Sequence, residues 1–402
     1  MGDFGHSAWQ VLDVGSIWMR EFASALAEQV PVVAWQPEMV RAGFGAGKIR
    51  PEQVTDPPLE VRRFALQRGY ARAPVRWLLR FERRVLRMLL DGCAEPTRSP
   101  LICTTPFYAP VAELWPGPVI YYATDLTVGY DGLDPSQVRE LDRRMCRAAR
   151  AVCPNSRRIA EYFVGDAGCS PDKIAVVPNA TRASNIPERA LERAGELPAD
   201  MSDLERPIAG VIGNMGGNID WVLLRGAMER TPWLRWVFVG PVGKALPDLK
   251  QDEAREWVKG RGRFVGAKPY GELQGYARCF DVAVLPYRKK EPTYSGSSTR
   301  YYEHLPAGRP MVGTRGFAEL LEKEPLITLV DTREQAVAAL ERLRAQDFRD
   351  GWELARWEAS RTGTWQERAR QLRRSVDDGQ AMSGQGGSEQ VRMAVESSGR
   401  AR

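Results

Sequence analysis

Ser297, Ser298, Thr299, Arg300 and Glu303 are the residue types that hold a phosphorylated, hydroxylated ligand. They lie in DVAVLPYRKKEPTYSGSSTRYYEHLPAGRPMVGTRG, residues 281–316, which reads as strand, irregular loop, helix, turn and strand. Asp281 to Pro286 is a short apolar run suited to a buried strand. Tyr287 to Gly296 is polar and broken by Lys289, Lys290, Pro292 and Gly296. Thr299 to Leu305 suits one short helix. The two serines and Thr299 sit where it begins. A helix start has unpaired N–H groups and the positive end of the dipole, so it holds phosphate. Arg300 adds a planar cation, and Glu303, one turn on, can accept two hydroxyls. This is the equipment for a nucleotide diphosphate and its ribose. An ordinary strand–loop–helix unit of a sheet protein has the same pattern.

The elements around it repeat one grammar. WQVLDV, from Trp9 to Val14, reads as a strand, Gly15 and Ser16 turn the chain, and Ile17 to Glu28 reads as a helix. Val30 to Ala34 is a second strand. Strands alternating with helices predict a parallel, doubly wound α/β sheet. Ligands of such sheets bind outside the carboxyl ends of the strands, here near Gly15 and Ser16. Residues 36–58 read as a loop. Further strands are expected at Leu101–Thr105, Val119–Ala123, Ala151–Pro154 and Ile174–Val177. Asp125 follows the Val119 strand, where a carboxylate can act as a general base or cap the next turn. A polar, proline-containing link then leads to a second set of the same elements. Its first strand, Ile208–Ile212, runs into Gly213-Asn214-Met215-Gly216-Gly217. The spacing is not G-x-G-x-x-G, so NAD-type binding is not expected. The boundaries read as 1–182, a linker at 183–206, 207–360, a C-terminal helix at 361–376 and a disordered tail at 377–402.

The chain has 402 residues, 43% of them hydrophobic, and a net charge of +6 with pI about 9.0. Its six cysteines form no CxxC pair, so neither a zinc site nor a redox dithiol is indicated. Scattered cysteines and the lack of a secretory leader pattern fit a reducing cytoplasm. No apolar run is long enough to span a bilayer. Val61–Leu90 carries nine arginines and one acid, Glu82. From Val75 on, Trp77, Leu78, Phe81, Val85, Met88 and Leu89 recur at helical spacing between arginines. Two readings stand: a core helix with a solvated basic face, and an amphipathic helix for an anionic membrane surface. Nucleic acid is the weaker third, because no recognition motif surrounds it. His304, beside Glu303, reads as structural.

The order of pieces resembles the GT-B glycosyltransferases, within the group that includes glycosyltransferase family 4. It is most similar to teichuronic-acid-biosynthesis-like bacterial members. The stretches that carry this are YYATD, AVCPNSRRIAEYF, VVPNAT, IAGVIGNMGGNIDWVLL, WVFVGP, RFVGAKPYGELQGYARCFDVAVLPY and YYEHLPAGRPMVGT. The similarity covers roughly residues 9–375, and Phe264–Thr314 is its specific part.

The resemblance implies two Rossmann-like domains facing a cleft, the second holding a nucleotide sugar of UDP or GDP type and the first an acceptor. It implies that Gly213 and Asn214 face the donor phosphates, and that Gly240 and Pro241 lie near the nucleotide. Val265 and Gly266 would pass the base. Arg300 would be the basic residue of the helix start and Glu303 the ribose acid. Lys268, Tyr287, Ser298 and Thr299 complete the expected donor set, with Lys268, Arg288, Lys289 or Arg300 as phosphate cations. It implies no cofactor and no metal, since helix dipole and cations offset the diphosphate. Family 4 members often carry two glutamates eight residues apart, and here the first position is Ser295. The expected activity is hexosyl transfer to a saccharide or lipid-linked acceptor in cell-surface polysaccharide or glycolipid synthesis, on the cytoplasmic side and peripheral to the membrane. The alternatives are a nucleotide-sugar epimerase and a non-catalytic nucleotide-sugar-binding protein.

Overall fold

The computed structural model describes residues 7–40, 51–55, 58–67, 70, 75–191, 197–244 and 246–377. The chain divides into two compact units. The first contains the described residues up to Asn179, together with Ser295–Ser297 and the chain from Trp365; the second runs from Ala180 to Tyr294 and from Ser298 to Thr364. The tail expected at 377–402 lies, beyond Asp377, outside the described residues.

The first unit is built on seven strands: β1 (Trp9–Leu12), β2 (Val32–Val40), β3 (Pro51–Thr55), β4 (Pro58–Gln67), β5 (Leu101–Cys103), β6 (Val119–Tyr121) and β7 (Ala151–Val152). Their order is β3-β4-β2-β1-β5-β6-β7, all parallel except β3, which runs antiparallel to β4. Helices α1 (Ile17–Ala27), α2 (Val75–Asp91), α3 (Ala109–Leu114), α4 (Pro135–Ala148) and α5 (Arg157–Gly165) connect them. α12 (Trp365–Asp377) returns to pack on α1, with Gln29 Nε2 donating to the Gln366 carbonyl at 2.9 Å.

Three expectations are corrected here. Residues 36–58 are not one loop: β2 reaches Val40, and β3 occupies Pro51–Thr55. Val61–Leu90 is not one basic segment, since Val61–Gln67 is strand β4 and only Val75–Asp91 is helix. Arg62 is used up inside the fold: it donates to the Gly92 carbonyl at 2.9 Å and lies over Trp35 at 5.3 Å. Arg63 pairs with Glu38 at 3.1 Å. In α2, Val85 and Leu89 are buried in the core while Arg83, Arg84 and Arg87 are exposed. This part of the helix is therefore a core helix with a solvated basic face. Ile174 forms a single bridge to Val152, not a strand.

The second unit has six parallel strands in the order β10-β9-β8-β11-β12-β13. They are β8 (Ile208–Ile212), β9 (Arg235–Val239), β10 (Arg263–Gly266), β11 (Val282–Leu285), β12 (Met311–Thr314) and β13 (Thr328–Val330). The helices are α6 (Trp221–Arg230), α7 (Leu249–Lys259), α8 (Leu273–Cys279), α9 (Thr299–His304), α10 (Arg333–Ala345) and α11 (Glu353–Thr362). β8 and β11 are buried at every position, as the central strands of a sheet covered on both faces must be. This is the doubly wound order in which succession reverses between the first and fourth strands, and ligands bind outside the carboxyl ends there. In this unit those ends are Ile212 and Leu285, followed by Gly213 and Pro286–Tyr287.

Candidate functional site

At the carboxyl end of β8 the chain turns through Gly213, with φ +135°, and at the end of β9 through Gly240, with φ +144°. Both angles suit glycine only. The two turns interlock. Gly213 N donates to the Val239 carbonyl at 2.8 Å, and Gly240 N donates to the Gly266 carbonyl at 2.8 Å. A Cβ on Gly240 would overlap the Gly213 carbonyl oxygen, and one on Gly213 would strike Arg300 Nε. Three strand ends thus form a glycine floor with the Arg300 side chain lying directly on it.

Arg300 comes from the first turn of α9. Its Nη1 pairs with Glu303 Oε2 at 2.7 Å, three residues on, the spacing that brings side chains together on one helix face. The Glu303 side chain is 2% exposed, and its Oε1 has no hydrogen-bond partner among the described residues. Tyr287, buried after β11, is hydrogen-bonded to Arg300. Its carbonyl accepts from Thr314 Oγ1 at 2.5 Å, and its ring meets Phe317 edge-on at 5.0 Å. Burial pushes the Tyr287 phenol up to about 12, with the Arg300 charge opposing. His304 is buried with both ring nitrogens unpartnered among the described residues, and burial pulls it down to about 3 with the Arg300 charge adding to the effect. It is neutral at any physiological pH, as a structural residue would be.

The start of α9 holds a residue that the sequence did not reveal. Ser298 caps the helix, its Oγ accepting from Tyr301 N at 3.4 Å. Ser298 N itself donates to Glu319 Oε2 at 2.9 Å, while Tyr302 OH donates to Glu319 Oε1 at 2.6 Å. Glu319 thus occupies one of the amides expected to face phosphate and ties the helix start in place. Glu319→Ala should leave the buried Ser298 amide without this acceptor, a cost of about 1–3 kcal/mol, and remove the bond from Tyr302. The expected result is a lower melting temperature together with weaker nucleotide-sugar binding. Glu319→Gln, which keeps an acceptor, should restore much of both.

The other expected donor residues are placed as follows. Asn214 and Pro241 are exposed in the turns after β8 and β9, Val265 packs on the small core beside Ile212 and Val239, and Gly266 has φ +74°. Thr299 is half-buried. Lys268 Nζ is bound to Asp200 Oδ2 at 2.6 Å, and Arg288 pairs with Asp248 at 3.2 Å. Lys289 lies over Tyr294 at 4.8 Å. Arg300 is the expected cation that the fold brings onto the glycine floor. Ser295 is buried in the segment grouped with the first unit, where its carbonyl accepts from the Ser156 hydroxyl.

In the first unit, Asp125 follows β6 and is half-buried. Burial pushes its carboxyl up to about 6, and a hydrogen bond with Tyr130 pulls the other way. Ser16 caps α1, its Oγ accepting from Met19 N at 3.4 Å, and Gly15 precedes it. β1 stops at Leu12, and Asp13 follows at φ +64°, uncommon for a residue with a side chain. The Asp13 carboxyl is raised by burial, and the Gly15 amide donates to it. Among the described residues no group of three or more His, Cys, Asp or Glu could hold a metal ion, and no helix is long and apolar enough to cross a membrane.

The two sheets, each with the doubly wound order, are those of the GT-B fold. Similar solved structures agree over nearly the whole length. The UDP-forming α,α-trehalose-phosphate synthase from Burkholderia xenovorans, in complex with glucose-6-phosphate, aligns with TM-score 0.67 at 15% identity over 92% of this chain and 100% of that one. Anabaena HepE in complex with UDP and glucose gives 0.64 at 13% identity, over 92% and 100%. A glycosyltransferase from Rickettsia africae gives 0.64 at 9% identity, over 92% and 98%. At these identities the shared property is the fold. Residues 17–180 match the profile described as a glycosyl transferase 4-like domain, in agreement with the broader family 4 resemblance read from the sequence. No curated protein matches the sequence.

Proposed function

We propose that this glycosyltransferase moves a hexose from a UDP- or GDP-sugar to a saccharide acceptor in cell-surface polysaccharide or glycolipid synthesis. The observation that carries the donor half is the Arg300–Glu303 pair on the glycine floor. Glu303 gives one oxygen to Arg300 and keeps Oε1 unpaired in a buried position. A buried polar atom without a partner costs free energy unless something fills it, and a ribose hydroxyl is a suitable donor. Arg300 supplies a bidentate cation for the diphosphate, which with the strand-end amides offsets the leaving charge without a metal. Asn214, Gly240, Pro241, Val265, Gly266, Tyr287, Ser298 and Thr299 border the nucleotide in this reading, with Lys268 joining if its bond to Asp200 is exchanged for phosphate. Gly15 and Ser16 lie on the acceptor side. Asp125 takes the proton of the acceptor hydroxyl.

The exposed Arg83, Arg84 and Arg87 suit the anionic inner face of the plasma membrane, from which a lipid-linked acceptor would be drawn. Vesicles with anionic lipid should retain the protein more than neutral ones, and an Arg83/Arg84/Arg87→Gln variant should lose the difference. The reaction is tested by incubation with UDP- and GDP-sugars, alone and with saccharide acceptors, including glucose 6-phosphate. Nucleotide release supports the transferase. Interconversion of sugars without release would mean an epimerase, and tight binding without turnover a non-catalytic binder.

A further inference from the structure

The second unit has another pocket, of about 570 Å³, at the amino ends of its strands. It is bordered by Arg235 at the start of β9, Arg263 at the start of β10, and Trp257 and Arg261 at the end of α7. The five residues of β9 separate it from Gly240, roughly 17 Å at the rise of a strand. We propose that this pocket binds a soluble phosphate ester or polyphosphate, independently of the donor site.

Three arginines border it; Arg235 Nη1 donates to the Pro232 carbonyl and Arg263 Nη1 to the Asp200 carbonyl, each at 3.2 Å, and their other partners are exposed carboxylates. Arg235 reaches Glu205 at 3.6 Å and Arg263 reaches Asp203 at 2.6 Å, but those carboxylates are 84% and 65% exposed. Such surface pairs contribute little and exchange readily. Arg261 has no carboxylate partner among the described residues. Its guanidinium stacks on the Trp257 ring at 4.1 Å, and its Nη1 donates to the Trp257 carbonyl at 3.4 Å. Stacking fixes the plane of the fork, so less freedom is lost when it grips a phosphate with two hydrogen bonds.

Two features oppose an anion. α6 and α7 end at this pocket, each with a partial charge of about −0.5. Glu229 adds a carboxylate, held by Arg225 at 2.8 Å in an exposed pair. An anion that displaces the exposed Glu205 and Asp203 carboxylates meets three positive charges against these. The volume lies within the range of about 300–1,000 Å³ typical of small-molecule sites. A neutral sugar would leave Arg261 without a carboxylate and Arg235 and Arg263 on exposed ones, so a phosphorylated ligand fits better.

The test is titration of the full-length protein with pyrophosphate at low ionic strength, followed by calorimetry and tryptophan fluorescence. Wild type and Arg300→Ala, which lacks the donor-site cation, should both bind saturably. Trp257→Phe should lose the fluorescence change and keep the heat. Arg261→Ala should weaken binding at least tenfold, with Arg263→Gln as an independent second variant and unchanged circular dichroism in both. Absence of saturable binding, binding abolished by Arg300→Ala, or affinity indifferent to both Arg261 and Arg263 would overturn the proposal. So would binding of phosphatidate vesicles, but not pyrophosphate, that depends on Arg261.

Discussion

Asp125→Asn is expected to lower kcat by roughly 10²–10⁴-fold and to leave the donor Kd unchanged, the signature of a lost general base. Asn keeps the shape and an acceptor for Tyr130 but cannot take a proton. The wild-type rate should fall as pH drops below about 6, where burial has pushed the carboxyl, and this limb should vanish in the variant. Stability supplies a second readout with a defined sign. The folded-state value lies above the ordinary 3.8, so between 3.8 and about 6 the folded chain holds a proton that the unfolded chain has released. Stability from this group is therefore greatest at low pH and falls as pH rises through that window. At pH 7 the buried charge is a cost, and Asp125→Asn should raise the melting temperature there while having little effect near pH 4. A turn-capping role alone predicts the reverse: a lower melting temperature and an intact rate.

Gly240→Ala is expected to be the most damaging conservative change in the second unit. The added methyl overlaps the Gly213 carbonyl oxygen, which is backbone and cannot swing away. Overpacking of this kind costs about 1–3 kcal/mol, and the φ of +144° adds a further strain of about 1–3 kcal/mol. For a unit of this size the sum corresponds to a fall of roughly 5–20 °C in melting temperature. Gly266→Ala is the internal comparison. Gly266 has φ +74° but open space around its Cα, so only the strain should register. Gly213→Ala should differ from both. Its φ of +135° brings the same strain, but its methyl meets the movable Arg300 side chain, so it should cost less stability than Gly240→Ala and weaken donor binding in addition.

What could be read from the sequence was local. Arg300 and Glu303 are three residues apart on one short helix, and Gly213 directly follows a buried strand, so spacing alone brought them into view. Glu319 could not be seen this way. It meets Ser298 and Tyr302 from 21 and 17 residues along the chain, after another strand has intervened. The pairing of Lys268 with Asp200 is similarly remote. Strand β4 was hidden by its own pattern: Leu59 and Val61 alternate, then the phase shifts across Arg62 and Arg63 to Phe64 and Leu66, all four buried. A run of arginines beside apolar residues looked like the start of the basic helix that follows. Asp13 went unnoticed because the run Trp9–Val14 reads as one strand, whereas β1 ends at Leu12 and Asp13 turns to a left-handed φ.

The central claim is that Arg300 and Glu303 hold the donor. Calorimetric titration of UDP- and GDP-sugars into wild type, Arg300→Ala and Glu303→Gln tests it most directly. Loss of a charge-assisted hydrogen bond corresponds to about 1.5–3 kcal/mol, or roughly 10–150-fold in Kd. One nucleotide sugar should saturate the wild type, and each variant should bind it at least tenfold more weakly while still folded. Unchanged affinity in both variants would contradict the account.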